Sequence, residues 1–292
     1  MRILPAVLVL TLAAAHGAFG QLPQGVMVGT TPDVPARGTV AWIRVTADSL
    51  PAGDTLTAVE GEVEGEPLHF ESRRAGGYRA LLPVPLEGGD TLAIRLMLHR
   101  ETRSDTSQVL LTVARENYPR ERLRVAPRMA RPDSAAAARI DREVAQARAI
   151  GRASHERPTL WVGAFRVPRS SRITSRFGAA REFNGEITSR HLGTDFAGQV
   201  GAPVNAPARA VVALVADFYL AGHALYLDHG GGLVTGYFHL SRTLVAPGDT
   251  VLPGQPVGEV GRTGRVTGPH LHWIARYGAI NVDPMSLVEL PW

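Results

Sequence analysis

The chain of 292 residues contains no cysteine. That removes disulfides, thiolate-ligated zinc and any lipid carried on a cysteine at a cleavage site. Lysine is absent too, so all 31 basic residues are arginine. No side-chain amine is therefore available to carry a covalently attached cofactor. Beyond the first twenty residues, no apolar run approaches the ~20 residues that a membrane-spanning helix needs. Common catalytic signatures are also missing: there is no G-x-S-x-G nucleophile elbow, no P-loop and no Rossmann glycine pattern. His155-Glu156 opens an apparent H-E-x-x-H. Thr159 stands at its last position, however, and Pro158 breaks the helix that the motif requires.

What the chain does have points to β structure. Hydrophobic residues make up 45%, with 31 Gly and 21 Pro, which favours many short strands and turns over long helices. The length suits two domains. Residues 1–20 read as an export signal: Arg2, a largely apolar run over 3–15, and the small-residue site Ala18-Phe19-Gly20 before Gln21. A retained amphiphilic anchor is the alternative for that segment.

Residues 21–115 read as an N-terminal β-sandwich module of immunoglobulin-like type. Its strand runs include Val40-Ala41-Trp42-Ile43-Arg44-Val45, Tyr78-Arg79-Ala80-Leu81-Leu82, Leu92-Ala93-Ile94-Arg95-Leu96 and Val109-Leu110-Leu111-Thr112-Val113. Pro51-Ala52-Gly53-Asp54, Ala75-Gly76-Gly77 and Glu87-Gly88-Gly89-Asp90 separate them as turns. His69 and His99 are isolated there and read as surface residues. Residues 116–158 read as an Arg-rich connector with one amphipathic helix over 134–150. Asp133 is available as its N-cap, Ile140, Val144 and Ala147 lie on one stripe, and Gly151 is its stop. Between Arg115 and Arg190 there are 17 Arg against 8 Asp plus Glu. Such an excess suits contact with anionic envelope polymers, or simply solvates a linker. An exported chain without a base-stacking motif is a poor nucleic-acid binder. Residues 159–292 return to β, with runs at 211–215, 224–227 and 233–238.

The chemistry concentrates in that last segment. His191-Leu192-Gly193-Thr194-Asp195 and His270-Leu271-His272 are compact histidine constellations. Strand alternation puts His270 and His272 on one face, and His191 and Asp195 can share one in an extended segment. Two imidazoles and a carboxylate suit a catalytic zinc, since three protein ligands leave one position for water or substrate. The metal lowers the pKa of its water to ~7 and polarises a carbonyl. His239 ends the run Leu233-Val234-Thr235-Gly236-Tyr237-Phe238 and by alternation shares a face with Leu233, Thr235 and Tyr237. His223 has no assigned role, and His229 reads as structural in a Gly-rich turn.

The ordered set of motifs resembles the M23 (lysostaphin/LytM-type) zinc peptidase family over about 160–290. It comprises Ile173-Thr174-Ser175-Arg176-Phe177-Gly178, Phe183-Asn184-Gly185, His191-Leu192-Gly193-Thr194-Asp195-Phe196-Ala197, Gly201-Ala202-Pro203-Val204-Asn205-Ala206-Pro207 and Asp228-His229-Gly230-Gly231-Gly232. Downstream follow Pro247-Gly248-Asp249-Thr250-Val251, Gly254-Gln255-Pro256-Val257-Gly258 and the run from Gly261 through Gly268-Pro269-His270-Leu271-His272. The resemblance implies an antiparallel β peptidase domain over 159–292, with one zinc held by His191, Asp195 and His272. It implies His270 as general base and His239 as the histidine that binds or stabilises the developing oxyanion. It also implies peptide crosslinks of bacterial peptidoglycan as substrate, in the periplasm or outside the cell. His223 stands where Asn or Gly is more usual, and residues 181–187 are a place where substrate preference is set.

Other readings separate on chemistry. A non-catalytic activator or wall-binding regulator, docking an envelope partner through the N-terminal module, is the alternative that keeps the fold. Residues 247–258 resemble the turns of biotinyl and lipoyl carriers, which fail here for want of a lysine.

Overall fold

The computed structural model describes residues 21–292 apart from 49, 51–53 and 186. The export signal at 1–20 lies outside the described residues, as do Pro51-Ala52-Gly53 of one expected turn. The chain forms two units, Met1–Glu116 and Asn117–Trp292. The stretch 117–158, read as a connector, clusters with the second unit.

The first unit is a sandwich of antiparallel sheets. Its strands are β1 (Val26–Thr31), β2 (Val40–Ala47), β3 (Leu56–Val63), β4 (Glu66–Leu68), β5 (Glu71–Ser72), β6 (Tyr78–Pro83), β7 (Thr91–Arg100) and β8 (Ser104–Thr112). One sheet runs β1-β2-β6-β5 and the other β4-β3-β7-β8. β7 shows the period-2 pattern of a half-buried strand, with Leu92, Ile94, Leu96 and Leu98 buried and their neighbours exposed. The Tyr78 hydroxyl of β6 reaches the Leu56 carbonyl of β3 at 3.3 Å and ties the sheets together. His99 bonds Ser104 of β8 and Glu60 of β3 across the outer face of the sheet, as expected of a surface histidine.

The second unit begins with β9 (Arg120–Leu123), a short helix α1 (Pro127–Ala130) and the long helix α2 (Ser134–Ala153). Asp133 caps α2, its side chain accepting from Ala136 N at 2.8 Å. The helix runs past Gly151 rather than stopping there. A Cβ at Gly151 would stand 2.0 Å from the Gly278 carbonyl oxygen, so glycine serves close packing at this position, not termination. The remaining strands are β10 (Ile173–Ser175), β11 (Ala180–Phe183), β12 (Ile187–Arg190), β13 (Thr194–Ala197), β14 (Pro203–Asn205), β15 (Ala210–Phe218), β16 (Gly222–Gly230), β17 (Leu233–Thr243), β18 (Thr250–Val251), β19 (Pro256–Val260), β20 (His270–Tyr277) and β21 (Ile280–Val282), followed by helix α3 (Pro284–Glu289).

The main sheet is ordered β10-β13-β20-β17-β16-β15-β18, with β14, β19 and β21 attached at its sides. Alternation divides its residues between two cores. Leu225 and Leu227 of β16, Tyr237 of β17, and Leu271 and Trp273 of β20 enter one buried cluster. Ala224 and Tyr226, Val234, and Ile274 enter the other, where Ala147 and Ile150 of α2 cover them. His272 and Ile274 are two apart on β20, so the histidines open on the same face that α2 covers. A small sheet, β12-β11-β9, stands beside it, with β9 parallel to β11.

His229 is fully buried at the end of β16. Its Nδ1–H donates to the Arg209 carbonyl at 3.0 Å, and Thr235 Oγ1 donates to its Nε2 at 2.8 Å. Burial pushes its pKa down to about 4, although the Arg209 carbonyl and Asp228 oppose this. The neutral ring is thus part of the fold, while an unfolded chain takes up the proton below ~6.5. The sign follows from linkage: the unfolded state binds more protons between about 4 and ~6.5. Stability is full above ~6.5 and falls as the pH drops towards 4, by roughly 3 kcal/mol from this group. Urea titrations between pH 4 and 7 should show that slope, and the His229→Asn protein should show a shallower one. Equal slopes would remove His229 as the cause.

Candidate metal centre and cleft

Strand pairing sets the centre. In the antiparallel pair of β13 with β20, Asp195 lies directly opposite His272, so their side chains project from one face at close range. His191 lies just ahead of β13 and folds back over it. His191 Nε2 is 3.1 Å from Asp195 Oδ1 and 2.9 Å from His272 Nδ1, and His272 Nδ1 is 2.7 Å from the same oxygen. These ligand atoms all lie within 4.8 Å of one another. Gly193 is the residue that lets the turn pass. A Cβ there would meet the His272 ring at 2.8 Å and the Trp273 carbonyl oxygen at 2.6 Å.

Outer contacts fix how each group faces inward. His191 Nδ1–H donates to the Arg176 carbonyl at 2.8 Å, with Ser175 Oγ also within 2.9 Å. That leaves the Nε2 lone pair for the centre. Asp195 Oδ2 accepts from Arg181 at 2.6 Å, leaving Oδ1 free to ligate. Arg181 donates in turn to Glu121 Oε2 at 3.0 Å, and Ser175 Oγ donates to Glu121 Oε1 at 2.6 Å. One carboxylate on β9 therefore braces the outer partners of two inward-facing groups. The His272 ring is held between Gly193 and Phe238, whose ring stacks on it at 5.4 Å.

The ionisation states suit a cation. Burial works against charge on Asp195, but the imidazoles of His272 and His191 outweigh it and hold the carboxyl well below the usual range. Burial pushes His272 down to about 4 despite that carboxylate. An ionised carboxylate beside a His272 ring that burial keeps neutral is a pairing that a divalent metal can use. Two nitrogens, one oxygen and no thiolate match the open three-ligand zinc pattern.

His270 and His239 flank this group. His270 Nδ1–H donates to the Gly268 carbonyl and His239 Nδ1–H to the Thr263 carbonyl, both at 2.8 Å. Both therefore present an Nε2 lone pair. Their rings lie 4.9 Å apart, and His270 Nε2 is 3.7 Å from Asp195 Oδ1. Burial, with His272 and His270 close by, holds His239 well below the usual histidine range. His239 does not follow the strand alternation expected of it. It has φ 63°, a left-handed residue at a register shift of β17. Tyr237 goes into the core, whereas Phe238 and His239 both face the cleft. His223 bonds Asp217 at 2.9 Å on the β15–β16 hairpin, and it does not line the cleft. His155 packs its ring on Tyr277.

The centre sits in an open cleft of about 780 Å³. Its walls include β11, which carries Arg181 and Phe183, and the 265–269 loop. Local sequence pattern does not reveal Glu121, and it assigns Arg181, Phe238 and Arg265 no contact with the centre, although Arg181 falls in the 181–187 segment expected to set substrate preference. Glu121 lies 54 residues before Ser175, in a segment that carries no local signal of a site.

Residues 189–284 match the model of peptidase family M23. Over 122 residues, 41% of this chain, it is 39% identical to peptidoglycan DD-endopeptidase ShyC of Vibrio cholerae, covering 28% of that protein. Over 105 residues, 35% of this chain, it is 43% identical to peptidoglycan DD-endopeptidase ShyA of the same organism, covering 24%. The matched stretch thus spans about a quarter of each of these curated relatives. A crystal structure of a candidate M23 peptidase from Pseudomonas aeruginosa is similar over 87% of this chain and 95% of that one, with a TM-score of 0.66 and 26% identity.

The Glu121 brace has a measurable consequence. Glu121→Gln in the full chain should weaken zinc affinity about 10- to 100-fold, the usual effect of losing an outer partner. Competition with a chromophoric chelator reads this directly, and unchanged affinity would show that Arg181 holds Asp195 unaided.

Proposed function

We propose that this chain, whose residues 189–284 match the model of peptidase family M23, is an exported zinc metalloendopeptidase that cuts peptide crosslinks of bacterial peptidoglycan. The observation that carries this reading is the convergence of His191 Nε2, Asp195 Oδ1 and His272 Nδ1 within 4.8 Å, flanked by the Nε2 atoms of His239 and His270. The named activity of the two Vibrio cholerae relatives supports the substrate. No helix among the described residues is long and apolar enough to cross a membrane.

In this reading His191, Asp195 and His272 hold one zinc ion. The metal, when bound, acts as a Lewis acid that activates water and polarises the scissile carbonyl. The chain's own groups do the rest. His270 Nε2 takes the proton of the attacking water and passes it to the leaving amine. His239 Nε2 begins as an acceptor, because its Nδ1–H is committed to the Thr263 carbonyl. The neutral ring can therefore accept a hydrogen bond from the attacking water and orient it. As a donor to the oxyanion it would have to carry an Nε2 proton, which its burial opposes. Phe238 and Gly193 bracket the His272 ring and so fix the direction of the Nδ1 that would hold the metal.

A non-catalytic regulator would need no pair of inward-facing Nε2 atoms beside the metal set, and the presence of both favours turnover. The purified chain with zinc should release soluble fragments from peptidoglycan, and a chelator should stop it. His191→Ala should lose both metal and activity. His270→Ala should keep most of its metal and lose turnover by about 10²- to 10⁴-fold. Full activity in His270→Ala would exclude His270 as the base, and stoichiometric zinc without any fragment release would favour the regulator.

A further inference from the structure

Arg265 stands apart from the other cations of the cleft. Arg181 is committed to Glu121, Ser175 and Asp195. Arg122 lies 3.7 Å from Glu182. Among the described residues, the Arg265 guanidinium has no carboxylate, carbonyl or hydroxyl partner. It lies 4.2 Å over the ring of Phe183. It is half-buried, and it lines the same cleft as His239, His270 and His272. Burial, and secondarily the charge of Arg181, depress its pKa, yet an arginine stays charged in any protein. A charge kept partly out of water, near a like charge and without an anion, is an unfavourable arrangement in the free protein. Its balance improves when an anion arrives.

The backbone fixes where that anion would sit. Arg265 N–H donates to the Leu220 carbonyl at 2.8 Å, which anchors the loop at this residue. The same loop supplies the Thr263 and Gly268 carbonyls that hold His239 and His270. The contact with Phe183 puts the guanidinium carbon over the ring and gives its N–H groups no oxygen acceptor, so its donors remain available to a ligand. A planar fork of donors matches a carboxylate in bidentate fashion.

We infer that Arg265, seated on Phe183, binds a carboxylate of the substrate peptide and so selects acidic peptides over their amidated forms. This rests on the peptidase reading of the same cleft. The chemistry is the same whether the carboxylate is a side chain or a chain terminus, and amidating each in turn tells them apart. The role is one of substrate binding, so it should appear mainly in KM and in direct affinity, with the proton-transfer steps left in place.

The test is a cycle of two changes on the full, zinc-loaded chain. Crosslinked peptides are supplied as free acids, as the side-chain amide and as the terminal amide, against the wild type, Arg265→Gln and Arg265→Lys. Amidation of the recognised carboxylate should cost the wild type roughly 10- to 100-fold in kcat/KM. It should cost Arg265→Gln less than about 2-fold, and Arg265→Lys should fall between them. Equal sensitivity to both amidations in wild type and Arg265→Gln would overturn the proposal. So would a loss in Arg265→Gln that is the same for acid and amide peptides, since that pattern marks a structural role. Fluorescence anisotropy of the labelled acid and amide peptides gives a second readout that needs no cleavage. If nothing is cut but the wild type still prefers the acid and Arg265→Gln does not, the peptidase reading fails and the carboxylate site stands. If cleavage proceeds and neither readout distinguishes acid from amide, the site fails and the peptidase reading stands.

Discussion

The register between β13 and β20 is the constraint on which everything else in the second unit depends. It places Asp195 against His272 across one antiparallel pair, and a slip of one residue would send either side chain to the opposite face. The pair lies inside a sheet whose two faces are both covered, by one core cluster on each side. Packing on Trp273 and Leu271 from one side and Ile274 from the other fixes that register far more firmly than the short strand β13 could alone. The centre is therefore a consequence of core packing rather than of a flexible loop closing on a ligand.

Around that fixed pair the remaining groups are supplied from less regular backbone. His191 comes from a turn that only a glycine at 193 allows, and His239 comes from a left-handed residue at a bulge. Irregular backbone brings in side chains that no straight strand could aim at one point. The electrostatics follow the same division. The regular strands carry the coupled carboxylate and imidazole, and the outer brace of Arg181 and Glu121 reaches them from a separate small sheet.

Much of this was legible in the sequence, for reasons that can be named. Strands such as β2, β6 and β16 announce themselves by apolar runs bounded by turn residues, and α2 by its cap and its stripe. His270 and His272 share a face because a strand alternates, and the H-x-x-x-D and H-x-H segments converge as their chemistry suggests. His239 is legible as a residue but not as a direction, because alternation sends it into the core and a positive φ sends it to the cleft. Gly151 reads as a helix stop, and only the proximity of the Gly278 carbonyl reveals its packing role. Glu121 is invisible to local pattern. Its meaning comes from a parallel pairing of β9 with β11, and no periodicity within a segment encodes its distant partner.

The loop between Gly261 and His270 holds both flanking histidines through main-chain carbonyls, those of Thr263 and Gly268. A main-chain carbonyl is present whatever side chain the residue carries. The proton inventory of the two imidazoles is thus written in the course of the backbone, and the side chains on the same loop are left without that duty. Position 265 can change its charge, length or shape while the tautomers of His239 and His270 stay as they are. Such a loop is modular in the evolutionary sense: selection can retune what the cleft accepts without renegotiating how it reacts.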